Sequence, residues 1–211
     1  MPDGSETWDM IHAQRADVAD MLETLTPDQW AAPSLCSGWT VHVAAAHILA
    51  GAEQTPPAFM KKMAASGFRF NTMIDRDARR LGALPPAEII ERLRARTSTT
   101  NGPPAPAMTM LGEIVVHGED VRQPLGLPSA IKGDAALACL EMFKKTIFPV
   151  SGRKRVAGLR LEATDVDWAF GDGPEVTGPA SSLLLAMTGR TDGLVGLTGD
   201  GVAIMRRRIG R

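Results

Sequence analysis

Thr40-Val-His-Val-Ala-Ala-Ala-His-Ile-Leu-Ala-Gly-Ala-Glu53 is the stretch on which the reading of the fold turns. Thr40 carries the hydroxyl that caps a helix N-terminus, and the helix opening Val41-His42-Val43 runs to about residue 54, where Thr55-Pro56-Pro57 ends it. Its alanines let neighbouring backbones approach closely, as a helical bundle requires. Working outward, residues 6–25 repeat Ile11, Val18, Met21, Leu22 and Leu25 at helical spacing, with Arg and Asp between them. A loop over 33–39 joins that helix to the central one. Downstream come a helix-rich insert (59–84), a helix over 87–96 started by Pro85 and Pro86, a rigid linker (101–106), and helices over 109–124 and 133–148. The character changes at 149–155, which reads as a hinge. Beyond it, 156–163 and 166–170 alternate like half-buried strands, Gly171-Asp172-Gly173 turns between strands, and 180–187 is a short helix. The expected fold is therefore α+β: an antiparallel helical bundle over 1–150, then a small α+β domain over 151–211.

Composition removes several function classes. The chain has 211 residues, 44% of them hydrophobic and 22% charged, which is enough apolar material for a core and excludes wholesale disorder. Lys and Arg number 23 against 24 Asp and Glu, so the net charge of −1 lacks the basic excess of a nucleic-acid binder. The two cysteines, Cys36 and Cys139, support neither a disulfide framework nor a Cys-rich zinc site. The first ten residues are polar and acidic, unlike a signal peptide, and the longest near-apolar stretch, 43–52, is too short to span a bilayer. A soluble cytoplasmic protein with neither nucleic acid nor membrane as partner is expected.

Four histidines remain to be weighed. Glu113 and His117, in Gly112-Glu-Ile-Val-Val-His117, stand four apart and so share one helix face about a turn apart. Two such side chains suit one metal ion; they equally suit a Glu–His hydrogen bond or an exposed pair. His47, on its apolar helix, reads alone as a satisfied core residue. Joined to Glu113 and His117, it completes a two-histidine, one-carboxylate set on two helices, leaving a metal an open position for water or substrate. His42 lies about 140° round the helix from His47, which argues against a shared site. His12 reads as a surface residue.

At this point the sequence resembles a known family. Trp30-Ala-Ala-Pro-Ser-Leu-Cys-Ser-Gly-Trp-Thr-Val-His-Val-Ala-Ala-Ala-His47 is similar to the metal-site signature of the DinB-like, mycothiol-dependent maleylpyruvate isomerase family, in which a Gly-Trp-Thr loop leads into the helix of the first metal histidine. Gly112-Glu-Ile-Val-Val-His-Gly-Glu-Asp-Val-Arg-Gln-Pro-Leu-Gly126 resembles its second signature. Asp167-Trp-Ala-Phe-Gly-Asp-Gly-Pro-Glu-Val-Thr-Gly178, with Leu183-Leu-Leu-Ala-Met-Thr-Gly-Arg190, resembles its C-terminal domain. Nothing is recognised over 59–100. The resemblance implies a DinB-like antiparallel four-helix bundle carrying zinc, or another divalent metal, on His47, Glu113 and His117. It also implies mycothiol, the low-molecular-weight thiol of actinobacteria, as cosubstrate. A thiol entering zinc's open position loses its proton and becomes a nucleophile for a small electrophile, so transfer and isomerisation start with the same step.

Other residues take supporting roles. Asp120 shares the face of Glu113 and His117 and suits orienting a ligand or bound water, or an ordinary helix salt bridge. Trp39 suits the pocket mouth, or stapling the helix start. Arg190 matches an arginine of the isomerase branch associated with substrate-anion recognition; a helix-end arginine also meets terminal carbonyls. Cys36 reads as a small packing cysteine rather than a ligand. Two other functions fit the same ligands: a non-catalytic metal-stabilised binding or regulatory module, and a hydrolase using zinc-bound water.

Overall fold

Side-chain caps fix where the first helices begin. In the computed structural model, which describes residues 2–210, Asp3 accepts from the backbone N–H groups of Ser5 and Glu6, and Glu6 returns the favour to the Asp3 N–H, starting α1 (Gly4–Glu23). Thr26 and Gln29 form the same reciprocal cap on α2 (Pro27–Ala31). Thr40 Oγ1 accepts from Val43 N, so α3 (Val41–Glu53) begins where the sequence places it. The Thr55-Pro56-Pro57 break also starts the next helix: Thr55 caps α4 (Pro56–Ala65), which α5 (Phe70–Leu81) follows after a turn with Phe68 at φ 58°. Then come α6 (Pro86–Arg94) and α7 (Ala107–Arg122).

These helices form one compact unit over residues 2–128. α3 packs against α2, α5, α6 and α7, and α1 against α6 and α7. Ala44, Ala45 and Ala46 are fully buried, which is how small side chains admit so many neighbours to one helix. Gly118 of α7 does the same toward α1, where an added Cβ would lie 3.2 Å from Val18. Arg15, expected on the polar face of α1, is 2% exposed instead; the stripe of α1 facing its neighbours is wider than the aliphatic residues alone mark out. His12, expected at the surface, is half-buried with Nε2 3.2 Å from the Thr99 carbonyl.

The second unit is residues 129–211, so the division falls at 128/129 and not at the hinge expected near 150. Its described part contains α8 (Gly133–Phe143), α9 (Gly152–Val156), β1 (Arg160–Ala163), β2 (Ala169–Phe170), β3 (Glu175–Gly178), α10 (Ala180–Thr188) and α11 (Val202–Ile209). α8 packs on α10, so it belongs here rather than with the helices before it. The Pro/Gly/basic run expected as a hinge is α9: a Cβ on Gly152 would stand 2.1 Å from the Phe143 carbonyl oxygen, which ties α9 to the end of α8. The strands form a sheet of order β2-β1-β3, with Leu161 opposite Phe170 in the antiparallel pair and opposite Val176 in the parallel one. β3 has no counterpart among the expected strands, because Pro174 and three glycines mask its alternation. The first expected strand starts later, Val156 ending α9 instead. No helix of the described residues is long and apolar enough to cross a membrane.

Candidate metal centre

Two helices of the first unit bring the candidate residues together. On α3, His47 is 6% exposed, the seventh residue of an apolar helix, with Trp39 across its ring (centroids 5.2 Å apart). Trp39 ends the loop over 33–39. Ser34 N donates to the Trp39 carbonyl, Trp39 N to that of Cys36, and Leu35 N to that of Asp120 on α7, each at 3.0 Å. The indole N–H donates to Asp75 Oδ1 of α5 at 2.8 Å, so the ring is fixed from both sides. Asp75 belongs to the charged run in the stretch where the sequence shows no motif; one of its tasks is to hold this tryptophan.

On α7, Glu113, His117 and Asp120 share one face, as their spacing requires. The His47 and His117 rings meet edge to face with centroids 4.6 Å apart, and His47 Nε2 lies 3.8 Å from Glu113 Oε1. The glutamate reaches α3 because Gly51, one turn beyond His47, has no side chain: a Cβ there would be 2.3 Å from Glu113 Oε1. His117 Nδ1 donates to Asp120 Oδ2 at 2.8 Å, and Asp120 is fully buried. Cys36 Sγ donates to the same Oδ2 at 3.0 Å and lies 3.6 Å from His117 Nδ1. Burial opposes charge on His117, but the Asp120 and Cys36 contacts outweigh it and hold the imidazolium up to about pH 10. Burial pushes the Glu113 carboxyl up, while His117 and Arg15 pull it partly back.

This donor set fits a divalent cation. Asp120 engages one nitrogen of His117 and leaves Nε2 as the nitrogen for a metal, the carboxylate–histidine arrangement of metal centres. Glu113, pushed toward its neutral form by burial, is a carboxylate that a cation beside it would stabilise. The structure also draws a tighter trio. Among the described residues, the one group of three whose donor atoms all lie within 4.8 Å of each other is Cys36, His117 and Asp120; His47, Glu113 and His117 are not so close. Cys36, read from sequence as packing, thus sits against a candidate ligand. The only sequence signal for it was its place in the loop before α3.

Arg190 lies in the other unit, just past Gly189, the left-handed cap of α10. Its Nη1 donates to the Thr188 carbonyl at 3.2 Å, the helix-end contact weighed against an anion-binding role. Arg15 escaped sequence reasoning because an arginine at that spacing on α1 looks like part of the solvated face.

The class defined by these features is a helical unit with a histidine–carboxylate centre, followed by a small α+β unit. Residues 11–101 match the family model of the mycothiol maleylpyruvate isomerase N-terminal domain. Two solved structures share the fold. One, of a histidine-to-alanine variant of the mycothiol-dependent maleylpyruvate isomerase, has a TM-score of 0.64 and 16% identity, covering 94% of this chain and 93% of that one. The other, of the mycothiol-dependent maleylpyruvate isomerase, has a TM-score of 0.61 and 14% identity with the same coverage. No curated protein matches the sequence.

Proposed function

We propose that this chain is a mycothiol-dependent metalloenzyme, a transferase or isomerase acting on a small electrophile in the cytoplasm. The observation that carries the reading is the approach of His47 to both Glu113 and His117, with His117 Nδ1 held by Asp120, in a chain matched to this family over 11–101. His47, Glu113 and His117 would hold zinc or another divalent ion, which when bound supplies a Lewis acid that lowers the pKa of a thiol. The chain's own residues do the rest. Asp120 keeps the Nδ1 proton of His117 and so the direction of its other nitrogen. Trp39, pinned by Asp75, walls the site on the His47 side. Arg190 is assigned the anionic group of the substrate. The mutual packing of α1, α3, α6 and α7 supports reading the first unit as the DinB-like antiparallel four-helix bundle.

The tighter trio favours a second reading of the ligands, in which Cys36 and Asp120 bind directly with His117. Metal content of His47→Ala and Cys36→Ala separates the two: loss in the first with retention in the second supports His47, Glu113 and His117. The reverse pattern assigns the metal to Cys36. For the reaction, consumption of a panel of electrophiles is measured with and without mycothiol. Thiol-dependent turnover supports the proposal, turnover with water alone makes the protein a hydrolase, and no turnover makes it a binding module.

A further inference from the structure

A buried arginine faces the least explained carboxylate of the site. Arg15 is 2% exposed, and its Nη1 donates to the carbonyls of Arg96 at 3.2 Å and Thr99 at 2.8 Å. Its guanidinium also lies 5.7 Å from the Trp8 ring centroid. The two carbonyl contacts tie α1 to the turn that follows α6 and account for one half of the guanidinium. The other half is unaccounted for: Nη2 is buried and has no hydrogen-bond partner. A charged donor left so costs free energy unless something accepts from it.

Arg15 lines a small cavity between α1, α3 and α7, together with Ile48, Ala52, Met110, Glu113 and Ile114. The cavity has room for about one water molecule. Four of its six lining side chains are apolar. The groups able to bond strongly to a water there are the arginine, a donor, and the glutamate, an acceptor. The two already feel each other, since burial pulls the Arg15 guanidinium down to about 10 while Glu113 pulls it back up.

The geometry points to Arg15 as the positioning residue of Glu113: one water in this cavity accepts from Nη2, donates to the carboxylate and holds it against Gly51 beside His47. This rests on the metal reading only for its consequence, which is that Arg15 tunes metal affinity without touching the ion. A merely structural arginine, bracing α1 against α6, would alter stability and leave the metal alone. An arginine acting through its charge alone would repel a cation, so its removal would raise affinity.

Arg15→Lys tests the assignment, since it keeps the charge and one donor group for the carbonyls but loses the fork that reaches the cavity. Arg15→Gln is the second variant. Urea unfolding of metal-free Arg15→Lys, Glu113→Gln and the double variant measures the link between the residues whether or not metal binds. Non-additive effects support it; additive ones overturn it. Zinc affinity by chelator competition then reads the consequence. Losing a supporting contact of this kind lowers affinity about 10-fold or more in Arg15→Lys, and the loss vanishes in the Glu113→Gln background. An unchanged or higher affinity, or an equal loss without Glu113, overturns the positioning role. If the parent chain binds no zinc, the metal reading fails and the unfolding cycle still decides the Arg15–Glu113 link. Arg15→Gln, which lacks the charge, must lower affinity too; if it raises affinity, charge and not position is at work.

Discussion

Replacing Gly51 with Ala should strengthen the helix and weaken the metal centre at once. Gly51 is interior to α3, where Gly→Ala ordinarily adds roughly 0.5–1 kcal/mol of stability. The new Cβ would stand 2.3 Å from Glu113 Oε1, 3.2 Å from its Cδ and 3.5 Å from Met110 Cε. Ordinary contact begins at 3.4 Å, so the oxygen must retreat by about 1 Å; the backbone need not move, because the obstacle is the end of a flexible side chain. Metal ligands tolerate only about ±0.2 Å, and a 1 Å misplacement near a reacting centre costs about 100-fold in rate. The expected result is an unchanged or higher melting temperature with zinc affinity at least about 10-fold weaker, read by thermal denaturation and chelator competition on one preparation. Parental zinc affinity in Gly51→Ala would refute the placing of Glu113 at the centre. A fall in both quantities would show instead that the clash is relieved by the backbone.

Gly152→Ala is the opposite case. Its Cβ would meet a backbone oxygen that cannot swing aside, so it should cost more than about 2 kcal/mol in urea unfolding and leave zinc affinity untouched. Asp120→Asn removes the negative partner of His117 Nδ1; zinc affinity should drop about 10- to 100-fold with the chain still folded by circular dichroism. Asp77 supplies a pH signature away from the centre: burial raises its carboxyl, but Lys62 and Arg80 lower it further, to a net value below the usual 3.8. A depressed pKa stabilises fully above the unfolded value and is lost as pH falls through the folded one. Urea midpoints of the parent should therefore decline below about pH 4, and those of Asp77→Asn should decline less. Parallel acid profiles would dismiss the Lys62–Asp77–Arg80 cluster as a source of stability.

Most of α3 and α7 was legible because their signals are local: a capping hydroxyl at Thr40, and a fixed rotation per residue that puts Glu113, His117 and Asp120 on one face. What escaped depends on partners far away in the chain. Cys36 acquires meaning only when Leu35 bonds to the Asp120 backbone and brings the loop against α7. Arg15 looks solvated until α6 and α7 close over it. The boundary at 128/129 was missed because 149–155 has linker composition, whereas Gly152 is there for close packing and Gly126, at φ 66°, closes the turn after α7. The 59–100 stretch stayed mute since its contact with the site through Asp75 and Trp39 joins an ordinary aspartate to an ordinary tryptophan across 36 residues.

The place of the 128/129 division bears on how the protein is made. Every candidate ligand, with Asp120, Cys36, Trp39 and Arg15, precedes it. Ribosomes add about 5–20 residues per second and domains fold as they emerge, so the first unit has several seconds to close before the last strand and helix of the second exist. On the proposed metal reading, a nascent chain can therefore capture the ion, and a mutation in the second unit that ruins its folding need not prevent the first from loading it. Damage there would sequester the ion in a half-formed protein rather than leave it in the cell's exchangeable pool.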